Sequence, residues 1–389
     1  MRILHTSDWH LGRSFHRVGM LEHQAAFVDH LLAVVEAERV DLVVVAGDVY
    51  DRALPHVDAV RLADEALARL AASRAQVVLT SGNHDSAQRL GFGSRLIDAA
   101  GVYLRTDASS VGTPVLLEDT HGPVAVHGLP YLDPQALHEP WALAARTHEA
   151  ALAEAMRRVR ADLDARPLRS VVLAHAFVAG GLPSDSERDI SVGGVSVVPT
   201  ALFDGISYTA LGHLHGRAAL TETVRYSGSP LAYSFSEAAH TKGTWLVDLG
   251  RHGVTSATFV QAPVPRRLAT LSGDLEALLS DPSYAAVEDC WLQVTLTDPV
   301  RPEQPMERLR ARFPHTLVLG FAPAGESPTS LLAAAPRGRT DHEVALDFVA
   351  EMRGAPADDD ESALLQRACD ACADDPDADV LLTAVAGGG

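Results

Sequence analysis

Five short apolar runs in this chain each stop in side chains that can hold a cation. "ILHTSDWH" delivers Asp8 and His10, "VVVAGDVYD" delivers Asp48 and Asp51, and "VVLTSGNHD" delivers Asn83, His84 and Asp85. Further on, "VVLAH" delivers His175 and "ALGHLH" delivers His213 and His215. Any one of these is weak, because a lone strand-end histidine is more often a hydrogen-bonded core residue than a ligand. Five in one chain predict a common site. Imidazole, carboxylate and amide-oxygen donors without a thiolate suit Mn²⁺, Fe²⁺ or Zn²⁺ better than Ca²⁺. Two cations ~3.5–4 Å apart need a shared ligand, and a carboxylate has the two oxygens for it.

Distant residues can meet only if the right elements carry them. The first 250 residues alternate apolar runs with helical patterns, which predicts a layered α/β domain. "RILHTSD", "VDLVVVAGD", "QVVLTSGNHD", "PVAVHGLP", "SVVLAH" and "SYTALGHLH" read as strands. Residues 21–38, 57–73 and 147–165 have apolar positions at helical spacing and read as covering helices. Ligands of open α/β sheets gather beyond the carboxyl ends of the strands, where these motifs would converge. "QAPVPRR", at 261–267, reads as a linker. After it, "GDLEALLSD", "DCWLQVTLTD", "QPMERLRARF" and "HTLVLGFAP" predict a small unit of order α-β-α-β. Two tail helices are expected over 341–353 and 361–372. The expected domains are 1–262, 266–340 and an acidic helical tail, 341–389.

Composition sets the outer limits. With 47% hydrophobic and 21% charged residues the chain reads as globular. Its net charge of −19 argues against indiscriminate nucleic-acid binding through a basic face. Much of that charge sits in 341–389, which holds 13 acidic and 2 basic residues. The aspartates there lack EF-hand spacing and read as solvated. Three cysteines make no disulfide framework, and Cys369 and Cys372 read as reduced thiols on a helix. The start "MRILHTSDWH" has no signal-peptide core, and no apolar run approaches the ~18 residues of a membrane span. A cytoplasmic location without membrane contact is expected.

Taken in order, Asp-x-His, Gly-Asp-x-x-Asp, Gly-Asn-His-Asp, His and Gly-His-x-His resemble the calcineurin-like metallophosphoesterases. The resemblance implies a layered β-sandwich flanked by helices, and two divalent cations bridged by Asp48. Asp8, His10 and His215 would complete one metal site, and Asn83, His175 and His213 the other. It also implies that His84 does not coordinate but acts on the phosphate, oriented by the Asp51 carboxylate. Asp85 is then left as a support of the loop.

The segments "MRILHTSDWHLGRSF", "GLPYLDP", "SERDISVGG", "YTALGHLHG" and "YSGSPLAYSFSEA" narrow the resemblance to the SbcD-type nucleases, relatives of MRE-eleven. That family implies Mn²⁺-dependent 3′-to-5′ exonuclease and endonuclease action on double-strand DNA ends and hairpins, in repair, recombination and replication. It further implies a capping domain that positions DNA, a homodimer within a heterotetramer, and an SbcC-type coiled-coil ATPase partner docked on the tail. Arg13 and Arg52 follow metal motifs closely and read as phosphate contacts. Arg188 and His127 read as structural or surface residues, and Ser227, Gly228 and Ser229 as a turn at the site's edge. Two other readings compete: a phosphodiesterase of small or cyclic nucleotides, and a binding scaffold. The extra C-terminal domain weighs against the first, and the complete set of ligand positions against the second.

Overall fold

The computed structural model describes residues 1–188, 190, 197–323, 340–353 and 355–373. Strands Arg2–Thr6, Leu42–Ala46, Gln76–Thr80 and Val102–Arg105 run parallel in one sheet. Gly243–Gly250 pairs antiparallel to the first of these, and Gly253–Gln261 folds back on it as the sixth strand. A second six-stranded sheet runs Ala218–Ala219, Val224–Tyr226, Tyr208–Gly212, Arg169–His175, Gly122–Gly128, Val115–Asp119. Its four inner strands are also parallel.

The side-chain pattern explains the layering. All five residues of Leu42–Ala46 are buried, as expected of a strand covered on both faces. Leu42 and Val44 join Ile3, Val78, Val171 and Leu173 in the core between the sheets. Val43 and Val45 point the other way, under Phe27 and Leu31 of helix Leu21–Ala37 and Leu62 and Ala66 of helix Val57–Ala71. On the second sheet, Val172, Ala174 and Leu211 pack beneath Leu152, Ala155 and Met156 of helix His148–Ala165. Thr147 caps that helix by accepting from the Ala150 N–H, so helix begins one residue later than expected. The layers run helix, sheet, sheet, helix, and the fold class is the one the motifs implied.

The chain divides into two compact units. One comprises Met1–Leu271, Leu279–Val294 and Met306–Gly320; the other comprises Ser272–Leu278, Thr295–Pro305 and the described residues from Phe321 onward. Leu268–Gly273, Trp291–Leu296 and Thr316–Phe321 form a three-stranded sheet with Trp291–Leu296 in the middle. Helices Leu275–Ser280 and Pro305–Arg312 fill the connections. The order is therefore β-α-β-α-β, one strand more than expected. Leu268–Gly273 gives no strand signal in the sequence, because none of its residues is fully buried and it follows the prolines of the linker directly. Within the first unit, Trp291 stacks at 5.3 Å on Phe15, a residue of the hairpin just after Arg13. In the second unit, helices Asp341–Arg353 and Asp359–Ala373 are clipped by an Arg353–Glu361 ion pair at 2.6 Å and by His342 Nε2 on the Ser362 carbonyl at 3.0 Å. The expected end of the tail, 374–389, and residues 324–339 lie outside the described residues. Among the described residues no helix is long and apolar enough to cross a membrane.

Candidate metal centre

Because the central strands of each sheet are parallel, their carboxyl ends open at one edge, and the two edges meet. Gly212 permits the meeting: a Cβ there would stand 1.8 Å from the Ala46 carbonyl oxygen of the facing sheet. The Asp8 N–H donates to the Gly47 carbonyl at 3.1 Å and the His10 N–H to the Asp48 carbonyl at 3.0 Å, locking the first two loops together. Asp8, His10 and Asp48 have φ of 52°, 46° and 50°, and His213 has 103°. Non-glycine residues rarely adopt positive φ, and such strain gathers at functional sites.

The side chains from all five loops converge. His10 Nε2 and His215 Nε2 face each other at 3.0 Å, with Asp8 beside them. On the other side, Asn83 Oδ1 lies 2.8 Å from His175 Nε2 and 3.3 Å from His213 Nδ1. Asp48 Oδ2 stands between the two groups, 3.6 Å from His10 Nε2 and 3.5 Å from His175 Nε2. Its Oδ1 accepts the His84 N–H at 2.9 Å, which fixes the carboxylate's orientation. His175 Nδ1 is tied to the Ala46 carbonyl at 3.0 Å, so it carries the proton and Nε2 presents a lone pair to the centre. The His175 Nε2 lone pair, the Asn83 amide oxygen and the Asp48 carboxylate face one another in a buried space, an arrangement that divalent cations would satisfy, and these donors fit them.

The electrostatics agree. Burial, and after it the charge of Asp48, pushes the Asp8 carboxyl well above its ordinary range. Burial and then the neighbouring imidazoles hold His10 and His213 well below theirs, and burial lowers His175 too. Neutral imidazoles are ready to ligate, and the crowded carboxyls lack a counter-charge that a cation would supply.

His84 sits among these groups, its ring 4.7 Å from that of His10. One expectation needs correction. His84 Nδ1 meets the main-chain carbonyl of Asp51 at 2.7 Å, and the Asp51 carboxylate does not orient it. The carboxylate turns instead to Arg13 Nε at 3.7 Å and Arg52 Nη2 at 3.4 Å, where two guanidinium charges attract it. The carbonyl can serve as acceptor for Nδ1–H, and His84 also forms a buried cluster with His10 and Asp48 whose atoms are close enough to hold a cation. Asp85 accepts from the Val49, Tyr50 and Gly82 N–H groups at 3.1, 2.9 and 2.9 Å. It therefore staples two ligand loops together, although burial and then Asp48 push its pKa up to about 7.

Arg13 is held over the Tyr233 ring at 5.0 Å and donates to the Ser186 carbonyl at 2.7 Å. Arg52 is more exposed, and the exposed Arg188 donates to the Asn83 carbonyl at 3.3 Å. His127 is buried 3.3 Å from Asp162 and joins none of the ligand groups. Ser227 and Ser229 back the loops, the first on Ser7 Oγ at 2.8 Å and the second through its N–H on the His215 carbonyl at 3.2 Å.

Sequence reasoning missed several supports. Gln24, from the first helix, donates to the His10 carbonyl at 2.8 Å and accepts from the Gly12 N–H at 3.0 Å. Behind His215 stand Ser186, Glu187, Glu237 and Lys242. Burial pushes Glu237 upward, but its hydrogen bonding toward His215 and the charge of Lys242 outweigh this and hold it below the usual carboxylate range. Ser186, Glu187 and Glu237 lie in "SERDISVGG" and "YSGSPLAYSFSEA", two of the segments that carried the resemblance, but nothing in their types marked them as supports.

Comparison with known proteins bears on the whole arrangement. Residues 1–217 match the calcineurin-like phosphoesterase model, and residues 264–353 match SbcD_C, described as the type 5 capsule protein repressor C-terminal domain. Similar solved structures include a dimetal phosphatase from Danio rerio, 15% identical, covering 67% of this chain and 99% of that one at a TM-score of 0.41. An archaeal phosphodiesterase is 12% identical, covering 67% and 100% at 0.30. The calcineurin-like phosphoesterase YfkN of Bacillus subtilis is 13% identical, covering 67% and 90% at 0.35. With one model on more than half its length and the other following it in order, this chain belongs to the calcineurin-like phosphoesterase family, hydrolases of phosphate esters, and matches an SbcD-type nuclease.

Proposed function

We propose that the chain is a metal-dependent DNA nuclease that hydrolyses phosphodiesters at double-strand ends and hairpins, as both a 3′-to-5′ exonuclease and an endonuclease. The observation that carries this reading is an SbcD_C segment behind a complete set of converging ligands. Asp48 would bridge two cations, with Asp8, His10 and His215 holding one and Asn83, His175 and His213 the other. Mn²⁺ is the proposed metal, and when bound it supplies charge on the phosphate and activates water. The chain's own residues do the rest. His84, its Nδ1–H engaged by the Asp51 carbonyl, presents Nε2 to the phosphate and, as the doubly protonated imidazolium, gives its Nε2 proton to the leaving oxygen. Arg13 and Arg52, steadied by the Asp51 carboxylate, contact the flanking phosphates.

The proposed organisation is a nuclease domain over 1–262, a capping domain over 266–340 and an ATPase-docking tail over 341–389. The partner is an SbcC-type coiled-coil ATPase, acting with this chain in the cytoplasm during DNA repair, recombination and replication. Homodimerisation is supported by exposed Leu54, Val57, Phe92 and Leu96. These come from neighbouring segments, since Arg89 donates to the Ala53 carbonyl at 2.9 Å.

The test is turnover by the purified full chain with Mn²⁺ on end-labelled linear duplex, on a hairpin and on a cyclic nucleotide. Release of nucleotides from the duplex end is the expected result. Turnover of the cyclic nucleotide alone would replace the nuclease reading with the small-nucleotide one.

A further inference from the structure

Two of the ligand histidines are held from behind in different ways. His175 leans on a backbone carbonyl, a group that no side-chain substitution removes. His215 leans on a chain of side chains. Its Nδ1 lies 2.6 Å from Ser186 Oγ, which donates to Glu237 Oε1 at 2.5 Å, and Glu237 pairs with Lys242. Glu237 and Lys242 are 1% and 7% exposed, so this is an ion pair inside the protein.

The proton count settles the direction of the relay. Ser184 gives its hydroxyl proton to Glu187 Oε2 at 2.8 Å, so it has none for Ser186. Ser186 gives its single proton to Glu237, so its oxygen can only accept from His215. The imidazole proton therefore sits on Nδ1, and Nε2 keeps the lone pair that faces His10 Nε2. The His215 backbone is gripped as well. Its N–H donates to Glu187 Oε1 at 2.7 Å and its carbonyl accepts from Lys242 Nζ at 2.8 Å. A buried ion pair adds little to stability compared with apolar side chains of the same volume. Its location behind one ligand calls for another role, and a carboxylate behind a ligand imidazole makes that imidazole a stronger donor.

We propose that Ser186, Glu237 and Lys242 are positioning residues for His215, so that one of the two metal sites depends on a buried side-chain relay and the other does not. This rests on the reading that Asp8, His10 and His215 hold a cation. The dependent site is the one those three form.

The experiment is calorimetric titration of Mn²⁺ into the metal-free full chain, with electron paramagnetic resonance to count coupled and isolated ions. S186A cuts the relay but leaves the ion pair whole, and S186T restores the hydroxyl. E237Q/K242M removes both charges together, so neither is left buried alone. S186A and the double variant are expected to weaken one of the two binding events by about 10–100-fold, the range for lost outer-shell partners, and to replace the coupled signal by an isolated ion. S186T is expected to bind as the wild type does, and metal-free S186A to keep a cooperative thermal transition with a modestly lowered midpoint, because His215 Nδ1–H and Glu237 lose a buried partner. Equal weakening at both sites, or wild-type binding by S186A, overturns the proposal. A wild-type chain that takes up no Mn²⁺ overturns the metal-centre reading beneath it, a result distinct from all of these.

Discussion

At the scale of single residues the centre separates holders from actors. Asp48 Oδ2 stands between the two groups of proposed ligands, whereas His84, its Nδ1 on the Asp51 carbonyl, is proposed to act on the phosphate without holding a cation. Substituting each should thus give different losses. His84→Ala is expected to keep its metals and lose about 10²–10⁴-fold in turnover, the range for a general acid. Asp48→Asn should lower metal content at both sites, since an amide has one oxygen and no charge to share. Elemental analysis beside a rate assay reads the difference, and a fall in metal content with His84→Ala would make that histidine a ligand.

The raised Asp8 carboxyl gives a second residue-scale prediction. A carboxyl raised by folding makes the metal-free fold bind more protons than the unfolded chain above pH ~3.9. Its contribution to stability therefore falls as pH climbs from there through the folded-state value. Cation binding must expel that proton, while the lowered histidines His10, His175 and His213 have none to give. Mn²⁺ binding is expected to release protons, and to release more at the acid end of a pH series than at the alkaline end. Calorimetry in buffers of differing ionisation enthalpy measures it, and zero release would mean that Asp8 is already ionised in the metal-free protein.

Elements explain why some of this was legible beforehand and some was not. Leu42–Ala46 could be read from sequence because a strand buried on both faces must be apolar throughout, and its end placed Asp48. Gly253–Gln261 could not, because an edge strand with half-exposed residues carries neither a run nor an alternation. The support of His84 was legible as a residue number but not as an atom: every residue has a carbonyl, and only the turn decides which one faces the ring. The relay behind His215 was invisible for a related reason, since Ser186, Glu237 and Lys242 come together only through folded loops. The close approach of the two sheets at the Ala46 carbonyl is also a property of elements, and it depends on Gly212. Gly212→Ala is expected to destabilise by about 1–3 kcal/mol and to weaken metal binding, because the sheets must part to admit the methyl. Gly19, with nothing within 4 Å of its Cβ position, is the control. Equal denaturation midpoints for the two variants would remove the strain argument.

For the molecule as a whole, the difficulty is charge. A chain with net −19 repels a polyanion at long range, and the cations near the centre are few. Arg13, Arg52 and Arg188 are the candidates to meet phosphates there, and Arg13 already shares its charge with Asp51. Bound metal would offset part of the repulsion at the site but none of it on the acidic tail. The isolated chain is therefore expected to bind duplex DNA weakly, with a shallow salt dependence. Two or three phosphate contacts correspond to a slope of log K against log salt of about −2 to −3. Fluorescence anisotropy with Ca²⁺ in place of Mn²⁺, to block turnover, measures the slope across 50–200 mM salt, a range in which counterion release is readily seen. Adding an SbcC-type ATPase should steepen it, because the extra phosphate contacts would come from the partner. A steep slope for the chain alone would mean that it grips DNA through a basic surface of its own, and the division of labour between nuclease and ATPase would have to be redrawn.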